Sequence, residues 1–257
     1  MSPMTSVQLL ALPGMPMVQA GDDLAALIEA GLVRADLRLQ AGDVLVVAQK
    51  IVSKAEGRLI DLATVTPSAE ATALAAEVQK DARVIELILS ESVRVVRARP
   101  ALVITQHRLG FVMANAGVDQ SNVDSTDAAP KALLLPRDPD GSAEALRARL
   151  SAVAGVPIAV IINDSFGRAW RRGTVGVAIG AAGLPSLVDL RGTPDLFGRA
   201  LQVTITGFAD EIAAAASLVM GQADESQPVV LVRGLTWSAP QTPAVELVRP
   251  PAEDLFR

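Results

Sequence analysis

Apolar positions along this chain follow two periods, and the switches between them predict its elements. Val44 to Val52, VLVVAQKIV, is a nearly continuous apolar run broken by Gln49 and Lys50. It predicts a buried strand whose far end turns polar. Pro157 to Ile162, Leu201 to Thr206 and Val229 to Val232 predict three more strands. Helical spacing begins after Gly21 to Asp23, with Leu24, Leu27 and Ile28 on one face, behind a loop rich in Pro and Gly, LPGMPMVQAG. Ser68 to Ser90 predicts one long helix or two short ones. Ser142 to Val153 predicts an amphipathic helix with Ser142 as N-cap, and Phe208 to Met220 an Ala-rich helix.

Three short β-branched runs, Val93 to Val96, Leu102 to Thr105 and Phe111 to Ala114, are closely spaced and predict antiparallel pairing. Val175 to Gly183, VGVAIGAAG, is small and apolar, so backbones are expected to approach closely there. The predicted fold class is mixed α/β (α+β) with partly antiparallel sheets. No repeat or linker marks a boundary, so residues 1–257 read as a single unit, either one large domain or two lobes that share a core.

Composition narrows the chemistry. Cysteine is absent, which removes disulfides, thiolate nucleophiles and cysteine-based zinc sites. His107 is the one histidine, so a multi-histidine metal centre is excluded and any metal must take oxygen ligands, favouring Mg2+ or Mn2+. A net charge of -5 and a pI near 5.0, with no tyrosine for base stacking, argue against nucleic acid as a partner. No apolar run reaches the roughly 18 to 20 residues of a membrane span, and MSPMTSVQLLALPG lacks the pattern of a signal peptide. A cytoplasmic protein without a membrane partner is expected.

Against that background IINDSFGRAWRRG, Ile161 to Gly173, sets an acid, a hydroxyl and three arginines directly after a buried strand. Asp164 and Ser165 there, together with an acid from ANAGVDQSNVD, Ala114 to Asp124, are able to converge on one divalent ion; taken singly, each stretch reads as a turn or a cap. Arg168, Arg171 and Arg172 suit phosphate or carboxylate oxygens, or else a solvated basic surface. Lys50, Lys54 and Glu56 lie just past a strand, where ligands commonly meet α/β proteins and where surface lysines are also ordinary. Neither a GxxxxGK[ST] loop nor a GxGxxG turn is present. His107 reads as a local hydrogen-bonding residue.

In order, LPGMPMVQAGDDLAALI, AQKIVSKAEGR, GFVMANAGVDQSNVD, NDSFGRAWRRGTVGVAIGAAGL, DLRGTPDLFGR, ADEIAAAASLVMGQ and PVVLVRGL resemble one family, the coenzyme F420-0:gamma-glutamyl ligases, called CofE. The same unit forms the N-terminal domain of the ligase FbiB. The resemblance runs from about Leu9 to Leu235. It implies a two-lobed, dimeric ligase that uses GTP to add one or more L-glutamates to the lactyl carboxylate of a deazaflavin coenzyme precursor.

Carried over by motif, the resemblance implies Asp119 and Asp164 on one divalent ion and Ser165 and Gln222 on a second, with a monovalent cation such as K+ as a further ion. It implies GTP against Leu12, Pro13, Gly14, Met15, Gln49, Lys50, Lys54, Asn122, Met220, Gly221 and Gln227, and an anion clamp among Arg168, Arg171 and Arg172. Two departures stand out. NDSFGRAWR replaces the family's SDTxGRPWR, so Ser165 stands for threonine, and TQHRLGF replaces TRHGF, which displaces His107. The rival readings are a ligase for another small carboxylate and a non-catalytic nucleotide or coenzyme binder.

Overall fold

The computed structural model describes residues 6–123, 125–126 and 129–254. In chain order the elements are β1 (Gln8–Ala11), α1 (Leu24–Arg34), β2 (Val44–Ala48), α2 (Gln49–Ala55), β3 (Leu59–Asp61), α3 (Ala69–Val78), α4 (Ala82–Ser90), β4 (Ser92–Arg99), β5 (Leu102–His107) and β6 (Val112–Ala114). They continue with β7 (Lys131–Leu133), α5 (Pro139–Ala154), β8 (Ala159–Gly167), β9 (Thr174–Ala182), β10 (Val188–Asp189), β11 (Ile205–Thr206), α6 (Phe208–Met220) and β12 (Val229–Arg233). The class is mixed α/β, and β2 with β8 is the one parallel pair among the described strands.

A five-stranded sheet in the order β1-β12-β2-β8-β9 separates two layers of apolar side chains. Alternate residues explain the split. Leu45, Val47, Val160, Ile162 and Leu231 pack with α1 and α5, while Val44, Val46, Ala159, Ile161 and Val230 pack with α6. A third cluster joins α3 and α4 to β5 and β7 through Ile85, Ile88, Val103 and Ala132.

β9 carries small residues because helices press on both of its faces. A Cβ on Gly176 would collide with Ser217 and the Ala213 carbonyl of α6, and one on Gly180 with Pro139 of α5. Both even-numbered positions reach opposite helices because Ile179 is an extra residue: Ile162 pairs with Gly180, yet Asn163 pairs with Ala178. The outer edge of β9 is closed by carboxylates, with Asp210 accepting from Ala178 N at 2.9 Å and Asp140 from Ala181 N at 2.8 Å.

Several sequence expectations shift. The run Val44 to Val52 is strand only to Ala48; α2 starts at Gln49, because its polar positions Gln49, Lys50, Ser53 and Lys54 recur at helical spacing. Ser68 to Ser90 is two helices, capped by Ser68 and Asp81 and parted by the left-handed Gln79. Ser142 is no N-cap. Asp138 caps α5, with Pro139 in the first turn, and Ser142 Oγ donates instead to Glu56 Oε1 at 2.6 Å. Of Leu201 to Thr206 only Ile205–Thr206 is strand, and β1 was unforeseen. Among the described residues no helix is long and apolar enough to cross a membrane.

Candidate active site

Sheet topology brings four chain crossings to one edge. The carboxyl ends of β1, β2 and β8 lie there with the amino end of β12, since Leu12 N donates to Val229 O at 2.9 Å and Ala48 N to Pro228 O at 2.8 Å. β8 then outruns β2: its last partner on that side is Ala48, opposite Asn163, and Asp164 to Gly167 pair with β9 alone. Asp164 and Ser165 therefore sit within a strand that projects beyond the sheet. Alternation sends Asn163 and Ser165 toward α6, where Asn163 Nδ2 donates to Ser217 Oγ at 3.2 Å and Ser165 Oγ to Gln222 Oε1 at 2.8 Å. Asp164 turns to the other face, beside Gln49, and its Oδ1 accepts from Ser165 N at 2.8 Å.

Asp119 arrives from the third cluster through a strained turn. Asn115, Ala116 and Gly117 are all left-handed, at φ 53°, 51° and 66°. The two non-glycine residues cost about 1 kcal/mol each in that region. A Cβ on Gly117 would stand 2.8 Å from Leu135 Cγ, so only glycine completes the turn. Asp119 then bridges Leu133 by two backbone hydrogen bonds, and its carboxylate meets Lys50 Nζ at 2.7 Å.

The turn is strapped from two directions. Lys50 and Lys54, one helical turn apart on α2, donate to Ser121 Oγ at 2.6 Å, Ser121 O at 3.1 Å and Asn122 O at 2.9 Å. Asn122 Nδ2 in turn donates to Ala223 O at 3.0 Å, in the segment between α6 and β12. Ser121 N and Oγ complete the Asp119 carboxylate at 2.7 and 3.0 Å. Ser121 was not singled out from sequence, although DQSN held it in view.

One ammonium between two acids leaves an imbalance. Burial pushes the Asp164 carboxyl up to about 6, and the Asp119 charge adds to it against the Ser165 amide, Lys50 and Gln49. Burial acts most strongly on Asp119 as well, but the Lys50 hydrogen bond and charge together with the Ser121 hydrogen bonds outweigh it and hold that carboxyl below its usual range. The donors here are oxygens only: two carboxylates, a hydroxyl and an amide carbonyl. That set fits a hard divalent cation. Among the described residues no three His, Cys, Asp or Glu side chains converge, so such an ion needs further oxygens from water or a phosphate.

Other expected residues take different places. The Leu12 side chain is fully buried and packs with the partly buried Met15 against Gly31 of α1; Pro13 and Gly14 are exposed, with Pro13 O accepting from Arg34 Nε at 3.4 Å. Met220 is buried under Asn163, while Gly221 and Gln227 bound the segment that Asn122 touches. Glu56 leaves the lysines to accept from Arg137 N at 3.0 Å. Arg168, Arg171 and Arg172 occupy the β8–β9 turn, Arg168 Nη1 reaching Gly173 O at 3.5 Å. Strand geometry sets Arg168 about 13 Å beyond Asp164. Two surface hollows, near 460 Å³ beside Phe208 and Trp237 and near 330 Å³ beside Asp22 and Arg149, lie away from the acids.

His107 belongs to a separate buried network. Its Nδ1 accepts from Leu109 N at 3.0 Å, and its Nε2 lies 3.4 Å from Glu91, which also pairs with Arg58 at 2.8 Å and Arg108 at 3.0 Å. The local role expected for this histidine holds.

A model of the family described as F420-0:Gamma-glutamyl ligase matches residues 14–234. The chain belongs to this family. A coenzyme F420:L-glutamate ligase of Methanothermobacter thermautotrophicus is 47% identical over 253 residues, covering 98% of this chain and 99% of the relative. One of Methanopyrus kandleri is 48% identical over 247 residues, 93% of each chain, and one of Archaeoglobus fulgidus 42% identical over 251 residues, 98% of this chain and 96% of the relative. Within this ligase family match lie Lys50, Asp119, Asp164, Ser165 and Gln222; Leu12 and Pro13 precede it.

Proposed function

We propose that this member of the F420 ligase family joins L-glutamate, once or repeatedly, to the lactyl carboxylate of the deazaflavin coenzyme precursor, converting GTP to GDP and phosphate. One observation carries the reading: Asp119 and Asp164, from separate segments, converge beside Lys50 with the Ser165–Gln222 pair next to them. The full-length likeness to relatives named coenzyme F420:L-glutamate ligase supports the choice of substrates.

A carboxylate is too poor an electrophile for an amine at neutral pH. Transfer of the γ-phosphoryl group to a carboxylate oxygen makes an acyl phosphate. The glutamate amine then attacks its carbonyl carbon, the carbon–oxygen bond to phosphate breaks, phosphate leaves and the nitrogen loses a proton. Mg2+ or Mn2+, when held by these oxygen ligands, would offset the negative charge of the phosphates during the transfer.

The chain's residues divide that work. Asp119 and Asp164 would hold one ion and Ser165 and Gln222, already paired with each other, a second, while Gln49 beside Asp164 orients it. Lys50 and Lys54 meet phosphate oxygens, and the Pro13–Gly14 and Met220–Gln227 segments flank the nucleotide. Arg168, Arg171 and Arg172, out on their turn, gather the anionic groups of the coenzyme or of glutamate.

The reading includes a cytoplasmic homodimer. Its support is an extended arm, residues 188–206, that carries Leu196 and Phe197 at 99% and 88% exposure, a costly display for a lone chain.

Mass spectrometry of a reaction with purified protein, GTP, Mg2+ or Mn2+, L-glutamate and the deazaflavin precursor tests the proposal. A product heavier by one or more glutamyl units, with equimolar GDP, is expected. No product beside an active control enzyme overturns it, and turnover with only a different carboxylic acid would transfer the reading to that acceptor.

A further inference from the structure

Lys50 occupies the position that a metal ion on Asp119 Oδ2 would need. Its ammonium is saturated: Asp119 Oδ2 at 2.7 Å, Ser121 Oγ at 2.6 Å and Ser121 O at 3.1 Å take its three protons. The oxygen it holds, Asp119 Oδ2, also accepts from Ser121 Oγ at 3.0 Å. Those two contacts take both lone pairs of Oδ2, so a divalent ion, which binds a carboxylate oxygen at about 2.1 Å, has to displace one of them. Lys50 is nonetheless not locked in place. It rises from the first turn of α2 at the open edge of the sheet, and its side chain keeps 26% exposure, so rotation about its flexible stem carries the charge outward.

We propose that Lys50 is a placeholder cation that neutralises Asp119 in the free protein and moves onto the nucleotide phosphates when they arrive, opening Asp119 Oδ2 to the metal ion. This inference rests on the metal and nucleotide reading above and adds an order to it. Free divalent ion competes with Lys50 and binds poorly, whereas nucleotide phosphate draws the ammonium away and supplies metal oxygens at once. The two cations thus exchange roles instead of adding, and the protein does not load metal without its nucleotide.

The exchange predicts a reversal of sign that simple charge removal does not. Mn2+ binding is measured by electron paramagnetic resonance on the whole protein, with and without saturating GDP, for the native chain and Lys50→Gln. Without nucleotide, Lys50→Gln is expected to tighten Mn2+ binding about tenfold, a usual size for coupled sites. With GDP the same substitution is expected to weaken it.

Ser121→Ala, which loosens the ammonium but keeps its charge, is expected to shift nucleotide-free binding the same way by less, and covers the case of a misfolded Lys50 variant. An effect of one sign in both states, or none, overturns the placeholder. A native chain that binds Mn2+ in neither state overturns the metal and nucleotide reading itself.

Discussion

Two clusters in this chain set carboxylates against cationic side chains and come out opposite. Around Glu91 a single carboxylate faces Arg58, Arg108 and the buried His107, an excess of donors over acids. Around Asp164 two carboxylates share Lys50. Burial alone would raise Glu91, yet hydrogen bonds from His107 and Arg58 and the charges of Arg58 and Arg108 bring it down to about 2, while Asp164 stands at about 6. A cluster compensated from within ties elements together: Arg58 also donates from Nε to Leu135 O at 2.9 Å, joining the end of α2 to the segment before α5. A cluster short of positive charge is held ready for something that brings it.

The contrast breaks most sharply at Asp164. Asp164→Asn is expected to lower turnover by about 10²–10³-fold, the cost usual for losing one group that stabilises transition-state charge. The metal-free variant should nonetheless melt no lower than the native chain, and about 2–4 °C higher if one kcal/mol of repulsion is relieved. A turnover assay and calorimetry in a chelator check both; full activity would remove Asp164 from the chemistry.

Glu91→Gln is the converse. It should cost about 3 kcal/mol in urea unfolding, because Arg58 and Arg108 are left uncompensated. The pH dependence of the two variants also runs in opposite directions. Glu91 is depressed from 4.5, so its contribution is fully present above pH 4.5 and fades as pH falls toward about 2. Asp164 is raised from 3.8, so the metal-free native chain gains stability as pH falls through about 6 and draws level with Asp164→Asn by about pH 4.

Away from both clusters, Leu196→Asp with Phe197→Asp should turn the proposed dimer into a folded monomer in sedimentation, since these side chains have nothing to lose within one chain. A dimer that survives the pair would place the interface elsewhere. The smallest effect is expected from Ser165→Thr, which keeps the oxygen paired with Gln222; turnover should stay within about twofold, the range of a neutral exchange.

Much of this was legible along the chain because the signals were local. Periodicity gave α6 to the residue and the β4–β5–β6 meander, Val175 to Gly183 showed its close packing but not its strand, and strand-end and turn chemistry pointed to Asp164 and to an acid of the 114–124 stretch that the family resemblance narrows to Asp119. The misses were tertiary. Ser142 suits an N-cap by type, but Asp138 followed by Pro139 wins the helix start and Glu56, far away in sequence, claims the hydroxyl. Glu91, Arg58 and Arg108 gave no warning, since nothing in their spacing says that three chain segments will bring them together, with Glu91 and Arg58 buried.

The straps on the 119–122 turn span separations of 71, 68 and 101 residues. Loop closure makes such long-range contacts costly to form early, so the turn meets α2 and the α6–β12 segment only once the sheet between them exists. A nascent or half-unfolded chain thus has the acids and the lysines but no place where they meet. Any ligand that needs all three segments binds the finished fold alone and, by mass action, holds it finished.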